Sequence, residues 1–331
     1  MRPPYAESVK DDASPTRAAI DAAARRIEQH VRRTPVIEVD GVAFGLHEPL
    51  VLKLELLQHT GSFKPRGAFN RVLEAGAPEV VVAASGGNHG LAVAHVARSL
   101  GRRAEIFVPA TAPQVKVDGI RALGARVELV GSTYAQALVA STRRAADVGG
   151  LVVHAYDQAA VVAGQGTVAR ELEQQCPDLD TVLVAVGGGG LIGGIATWWS
   201  RQAQVVAVEP VGCPTLHAAL AAGGPVDVEV GGLASDALGA GRIGRLGLAA
   251  ASEADVASVL VTEEAIGTAR LLLWQQLRVA AEPGGATALA ALTSGAYRPA
   301  PGERVAVVVC GGNADPADLA APVSQRPGPA A

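Results

Sequence analysis

Short apolar runs alternate along this chain with longer segments whose apolar residues recur every three or four positions. The runs at 50–55, 80–84, 104–108, 126–130, 151–154, 181–186, 205–208, 256–261 and 304–309 have the length and the valine-rich composition of strands. The segments 68–73, 89–100, 113–123, 133–147, 158–175, 191–201, 215–222, 263–276 and 284–293 read as helices. An earlier helix opens at Ser14-Pro15, a capping residue followed by proline at the first helical position. It sets Ile20, Ala23, Ala24, Ile27 and Val31 on one face and stops at Thr34-Pro35. Residues 1–13 are polar and 315–331 are rich in proline and alanine, so both ends are expected to be loose. Strands alternating with helices predict parallel sheet covered by helices on both faces. Ligands of such sheets bind beyond the carboxyl ends of strands, so the turns that follow strands are where chemistry is sought. There is no repeat of 20–50 residues and no Ser/Gly linker. If two domains exist, they are interleaved rather than strung in series.

Composition narrows the classes. A chain of 331 residues with 49% apolar content and formal charge −4 suits a large globular core and lacks the basic surface that nucleic acid requires. Three cysteines, Cys176, Cys213 and Cys310, have no CxxC spacing, which fits a reducing compartment better than a disulfide scaffold or a zinc site. The start of the chain has no apolar stretch of the signal-peptide kind. Residues 181–200 are uncharged and as long as a membrane span, but six glycines divide them into strand, turn and helix.

Four segments carry the candidate chemistry. Thr60-Gly61-Ser62-Phe63-Lys64-Pro65-Arg66-Gly67-Ala68 sets one lysine in small and apolar surroundings. A desolvated lysine has a lowered pKa, and its neutral amine attacks carbonyls to form a Schiff base; the bland reading is a solvated lysine at a helix start. Ser85-Gly86-Gly87-Asn88-His89-Gly90 follows a strand and opens a helix, so its free amides suit a carboxylate. Gly187-Gly188-Gly189-Gly190-Leu191 follows another strand, and more glycines stand there than a tight turn needs, which suits a phosphate. A rival reading takes Gly188-x-Gly190-x-x-Gly193, with Glu209 at 21 positions on (209 − 188), as a dinucleotide fingerprint of an NAD-dependent oxidoreductase. Cys310-Gly311-Gly312-Asn313 closes the last strand and puts either a thiol at a ligand or a small residue in the core.

Together, and in this order, these segments resemble the fold-type II pyridoxal-phosphate enzymes, closest to threonine/serine dehydratases and serine racemase. Arg33-Thr34-Pro35, Ala163-Gly164-Gln165-Gly166-Thr167, Val208-Glu209-Pro210 and Glu282-Pro283 are similar to that family as well, so the likeness runs from about residue 33 to 315. The resemblance implies an α/β fold of two interleaved domains, with 1–79 and 155–331 forming the large domain and 80–154 a small domain inserted in it. It implies that Lys64 carries the cofactor, that Phe63 packs on its ring and that Gly187, Gly188, Gly189, Gly190 and Leu191 bind its phosphate. Asn88 bonds the phenolic oxygen, Cys310 meets the pyridine nitrogen, and Gly239 lies near the ring. Ser85, Gly86, Gly87, Asn88 and His89 hold the substrate carboxylate. The implied reaction is β-elimination from a β-hydroxy amino acid, l-threonine or l-serine, giving a 2-keto acid and ammonia. The alternatives are a serine racemase or a dehydratase for another hydroxy amino acid such as threo-3-hydroxyaspartate. The racemases of the group carry a serine right after the position of Ser85, where this chain has Gly86, which favours the dehydratase. Relatives often bind a divalent cation with a glutamate matching Glu209 and an aspartate six residues on; Thr215 stands there, so no metal is expected and Glu209 is a weak candidate ligand. The chain is too short past Asn313 for a regulatory domain, which suggests a catabolic or specialised enzyme. A cytoplasmic homodimer with no nucleic-acid or membrane partner completes the expectation.

Overall fold

A computed structural model describes residues 14–315 and 317; apart from Asp315 and Ala317, the ends expected to be loose lie outside the described residues. Among the described residues, ten strands form two sheets. The larger contains β1 (Val36–Val39), β2 (Leu50–Lys53), β7 (Thr181–Ala185), β8 (Gln204–Pro210), β9 (Ala257–Val261) and β10 (Val305–Val308), in the order β1-β2-β10-β7-β8-β9. The smaller contains β3 (Val80–Ala84), β4 (Arg103–Val108), β5 (Arg126–Leu129) and β6 (Leu151–Val152), in the order β5-β4-β3-β6. All pairings are parallel except β1 with β2. β3 and β7 are buried at every position, which is why their sequences read as unbroken apolar runs rather than alternating ones. The smaller sheet comes from one continuous stretch of chain, while the larger draws strands from before and after it.

The core splits accordingly. One cluster surrounds the larger sheet; another fills the smaller sheet and takes in Ile27, Phe69 and Val161 from helices outside that stretch. The helix Ala159–Gln175 is the hub. A Cβ at Gly164 would lie 2.6 Å from the Arg66 carbonyl oxygen, and one at Gly194 would lie 2.4 Å from the Gly166 amide nitrogen. The Gly-Gln-Gly-Thr segment is therefore where two helices cross backbone to backbone. Gln165 Oε1 accepts from the Gly67 amide at 3.2 Å, tying the hub to the turn after Lys64.

Several local expectations are corrected. The first helix is Arg17–Ile27, capped by Thr16, whose hydroxyl accepts from the Ala19 amide, and not by Ser14. It ends at Ile27, seven residues before Thr34, so Val31 is not in it. The helix expected at 68–73 begins at Lys64, with Pro65 in its first turn where a missing N–H costs nothing. β1, a half-exposed four-residue edge strand, and the helices Ser235–Leu238 and Arg245–Glu253 escape the sequence reading.

Candidate active site

The turns after β2, β7 and β10 converge. Phe63, Lys64, Gly187, Gly188, Gly189, Gly190, Leu191, Asn88 and Cys310 line one cleft, together with Tyr156, Ala237, Leu238 and Glu282. A wider hollow of about 640 Å3 between β4, β5 and the helix Tyr134–Val148 is lined by none of these residues. Among its charges, Arg144 pairs with Glu105 and Arg126 with Glu128.

Lys64 keeps a thin exposed edge toward the cleft while its amine is enclosed. Burial drives that amine down to about 8, against the weaker upward pull of Cys310 and Glu282. Its hydrogen bond is to the Ala155 carbonyl oxygen at 2.9 Å. Lys53 shows the contrast. Its ammonium is also buried, but it donates to Glu171 at 2.5 Å, to the Thr34 carbonyl at 2.9 Å and to Gln175 at 2.8 Å. Burial lowers Lys53 too, but Glu55 and Glu171 pull against it, whereas the Lys64 bond goes to a neutral carbonyl.

The four-glycine turn leads from β7 into the helix Gly190–Trp199. Gly189 has φ +96°, a conformation an L-residue resists. A Cβ on Gly188 would sit 2.2 Å from the Tyr156 ring, and one on Gly187 would sit 2.9 Å from Leu238 Cα. Bare backbone is thus required on both flanks, and the first amides of the following helix have no acceptor within it. Cys310 lies two residues past the end of β10, with its sulfur 3.4 Å from the Gly284 carbonyl oxygen. Burial, and then Glu282, push this thiol up to about 12, so it stays protonated at neutral pH. Burial likewise pushes Glu282 up to about 7, while the Asn88 amide, 2.7 Å away, favours its ionised form.

The remaining expected residues lie elsewhere than in the cleft wall. Ser85, Gly86, Gly87 and His89 form the turn from β3 into the helix Asn88–Ser99. Ser85 Oγ accepts from the Gly87 amide at 3.1 Å. The His89 ring is buried and its Nε2 lies 2.8 Å from the Val153 carbonyl oxygen; burial holds its pKa to about 3. That ring is committed to the fold, and only the turn's backbone and the Ser85 hydroxyl can face a ligand. Gly239 follows the short helix whose Ala237 and Leu238 reach the cleft, but is not itself in the wall.

Glu209 serves neither rival role. It is fully buried, its two carboxyl oxygens accepting from the Leu216 amide at 2.8 Å and the His217 amide at 2.7 Å, which caps the helix Thr215–Ala222. Those oxygens are not free for a ribose hydroxyl, so the dinucleotide fingerprint loses its acidic member. Among the described residues no group of three or more His, Cys, Asp and Glu could hold a metal. Thr215 Oγ1 lies 3.1 Å from Glu209 and 2.7 Å from the Gly187 carbonyl oxygen, so this pair braces the start of the glycine turn instead.

Tyr156, Ala237, Leu238 and Glu282 were not singled out as cleft residues from sequence. Tyr156 and Glu282 were within reach: Tyr156 lies in the turn after a predicted strand, and Glu282 begins a Glu-Pro pair ahead of a predicted helix. Ala237 and Leu238 carried no such signal.

The geometry defines a class: a buried amine beside a glycine cradle at the ends of parallel strands. Residues 27–311 match the family model "Pyridoxal-phosphate dependent enzyme", and the chain belongs to that family. Pyridoxal phosphate is its cofactor, and the oxidoreductase alternative is set aside. The chain is 39% identical over 308 residues to the L-threonine dehydratase biosynthetic IlvA of Mycobacterium leprae, covering 89% of this chain and 72% of that protein. It is similar to the T.th. threonine deaminase, with TM-score 0.85, 34% identity, and coverage of 91% and 99% of the two chains. It is similar also to maize serine racemase, with TM-score 0.86, 30% identity, and coverage of 93% and 96%. The residues present fit the cofactor. Lys64 offers the amine and the Gly187–Leu191 segment an anion cradle that a Cβ at Gly187 or Gly188 would crowd.

Proposed function

We propose that the protein is a lyase that dehydrates and deaminates a β-hydroxy amino acid, l-threonine or l-serine, to a 2-keto acid and ammonia. The observation that carries the reading is the enclosed Lys64 amine, lowered to about 8, in one cleft with the four-glycine turn and the Cys310 thiol. The dehydratase and deaminase relatives support the reaction type.

Bound pyridoxal phosphate supplies an electron sink for the substrate's α-carbon. The chain does the rest. The backbone of Gly187 to Gly190 and Leu191 would take the phosphate and Phe63 would pack on the ring, whereas Gly239 stands just outside the cleft wall. Asn88 donates to the phenolic oxygen. Ser85, Gly86, Gly87, Asn88 and the His89 backbone receive the substrate carboxylate at a helix N-terminus. Lys64 Nζ takes the α-proton. Cys310 faces the pyridine nitrogen as a neutral thiol, a weak partner that does not hold a proton there as a carboxylate would. Charge at the α-carbon would then be less deeply stabilised, favouring loss of the β-hydroxyl as water with the proton that Lys64 has taken.

Serine racemisation is the second reading, supported by the likeness to maize serine racemase. Gly86 opposes it, having no hydroxyl with which to protonate the opposite face. The inserted small domain at 80–154 belongs to the same proposal, supported by the separate four-stranded sheet. So do the cytoplasmic location, for which the free cysteines speak, and the homodimer that the family resemblance implies. Among the described residues no helix is long and apolar enough to cross a membrane.

The test is a keto-acid release screen over l- and d-β-hydroxy amino acids, threo-3-hydroxyaspartate included. Release from l-threonine or l-serine supports the reading; release from none of them overturns it.

A further inference from the structure

Two residues of this site carry no role so far. Glu282 is 4% exposed and lines the cleft, and Asn313 stands outside it on the surface, past the last strand. Both bond to the side chain of Asn88. Asn88 Nδ2 donates to Glu282 Oε1 at 2.7 Å, and Asn88 Oδ1 accepts from Asn313 Nδ2 at 2.8 Å. Asn313 Nδ2 also donates to the Thr60 carbonyl oxygen at 2.7 Å.

The direction of this chain of bonds is set by its ends. A carbonyl oxygen only accepts, so Thr60 fixes the amino group of Asn313 toward it. The second hydrogen of that amino group then goes to Asn88, whose facing atom must be its oxygen. The Asn88 amino group is thereby turned to Glu282, which accepts one of its two hydrogens. One N–H of Asn88 remains without a partner in this network, on a side chain that lines the cleft.

We propose that Glu282 and Asn313 are positioning residues that hold the Asn88 amide in one orientation, so that its remaining N–H is presented to the ring oxygen of pyridoxal phosphate. The inference rests on the reading of Asn88 given above. Without the pair, the amide flips at little cost and offers its oxygen to an oxygen, which repels. Glu282 is held for this work by the backbone around it: its own amide donates to the Gly311 carbonyl at 3.1 Å, and a Cβ on Gly311 would lie 1.9 Å from its Oε1. Gly311 of the Cys-Gly-Gly-Asn turn is thus the residue that admits the carboxyl, and Asn313 two positions on closes the chain of bonds.

The test is the cofactor dissociation constant of the full-length apoprotein, titrated with pyridoxal phosphate, for Asn313→Leu, Glu282→Leu, Glu282→Gln, and Asn313→Leu in an Asn88→Ala background. The loss of one oriented hydrogen bond predicts a rise of about tenfold for Asn313→Leu and for Glu282→Leu. Glu282→Gln keeps an acceptor and stays within about threefold of the wild type. In the Asn88→Ala background, Asn313→Leu adds nothing, because both act through one amide. The pH midpoint of the bound cofactor's visible absorption band moves in Asn313→Leu, which changes no charge in the cleft. Unchanged binding in Asn313→Leu overturns the proposal, and so does a full tenfold loss in the Asn88→Ala background. Asn313 is exposed, so its variant reports even if the buried Glu282→Leu does not fold. A wild-type protein that binds no cofactor sinks the functional reading instead, before any variant is made.

Discussion

At Lys64 the chemistry depends on a single proton. The attacking species in cofactor loading is the free amine, and burial lowers this amine to about 8 from the ordinary 10.5. Stopped-flow mixing of apoprotein with pyridoxal phosphate is therefore expected to show a loading rate that climbs with pH and levels off above about 8. A rate still climbing steeply toward pH 10 would mean an ordinary solvated lysine. Cys310 is the second residue with a sharp consequence. Cys310→Asp puts a carboxylate where a neutral thiol stands, and elimination measured as keto-acid release falls roughly tenfold or more. An unchanged rate would remove Cys310 from the account of reaction choice. Gly86 is the third: d-serine formed from l-serine stays negligible beside pyruvate when both are followed by chiral chromatography. Comparable amounts of the two products would favour the racemase. These residues were legible in the sequence because each sits in a short motif beside a strand. Ala237 and Leu238 were not, because they reach the cleft through the folding of a separate short helix onto it.

At the scale of elements, the helix Lys64–Glu74 is anchored by charge as much as by packing. Arg66 is 1% exposed and bonds Glu55 at 2.7 and 2.8 Å and Glu171 at 3.1 Å, while Lys53 bonds Glu171 from the other side. β2 and the turn after it, the Lys64 helix and the hub helix Ala159–Gln175 meet in this cluster. Removing one member leaves buried charge unpaired, so Arg66→Met is expected to lose about 3–5 kcal/mol of stability in urea unfolding; a loss below about 1 kcal/mol would show the cluster to be dispensable. Burial alone would raise the Glu171 carboxyl, but Arg66 and Lys53 outweigh it and leave it lowered. Its folded pKa thus lies below its unfolded value, so its contribution is present at neutral pH. That contribution fades as acid takes the protein below about pH 4 toward the folded pKa. The element pattern was legible wherever a strand was buried on both faces, as in β3 and β7. It failed at β1 and at the helices Ser235–Leu238 and Arg245–Glu253, which are short or half-exposed. It failed also at the first helix end, which falls at Ile27, well before Pro35.

At the scale of the molecule, the cleft takes Asn88 from the helix after β3 of the smaller sheet and the glycine turn and Cys310 from the ends of β7 and β10 of the larger. Lys116, on the helix that follows β4, pairs with Asp236, on the short helix that carries Ala237 and Leu238 into the cleft wall. Interleaving was foreseen from the lack of any linker; the strand order, with β10 placed between β2 and β7, was not, because only long-range pairing decides it. That order brings Cys310 alongside both the Lys64 segment and the glycine turn, so the last strand completes the site begun by the second.

Covalent capture of the cofactor tests the whole account most directly. The chain has four lysines, Lys10, Lys53, Lys64 and Lys116. Protein loaded with pyridoxal phosphate, reduced with borohydride, digested and mapped by mass spectrometry should carry the reduced cofactor on the Lys64 peptide, with the other three lysines unmodified. A label on Lys53 or Lys116 in place of Lys64, or no stable label at all, would contradict it.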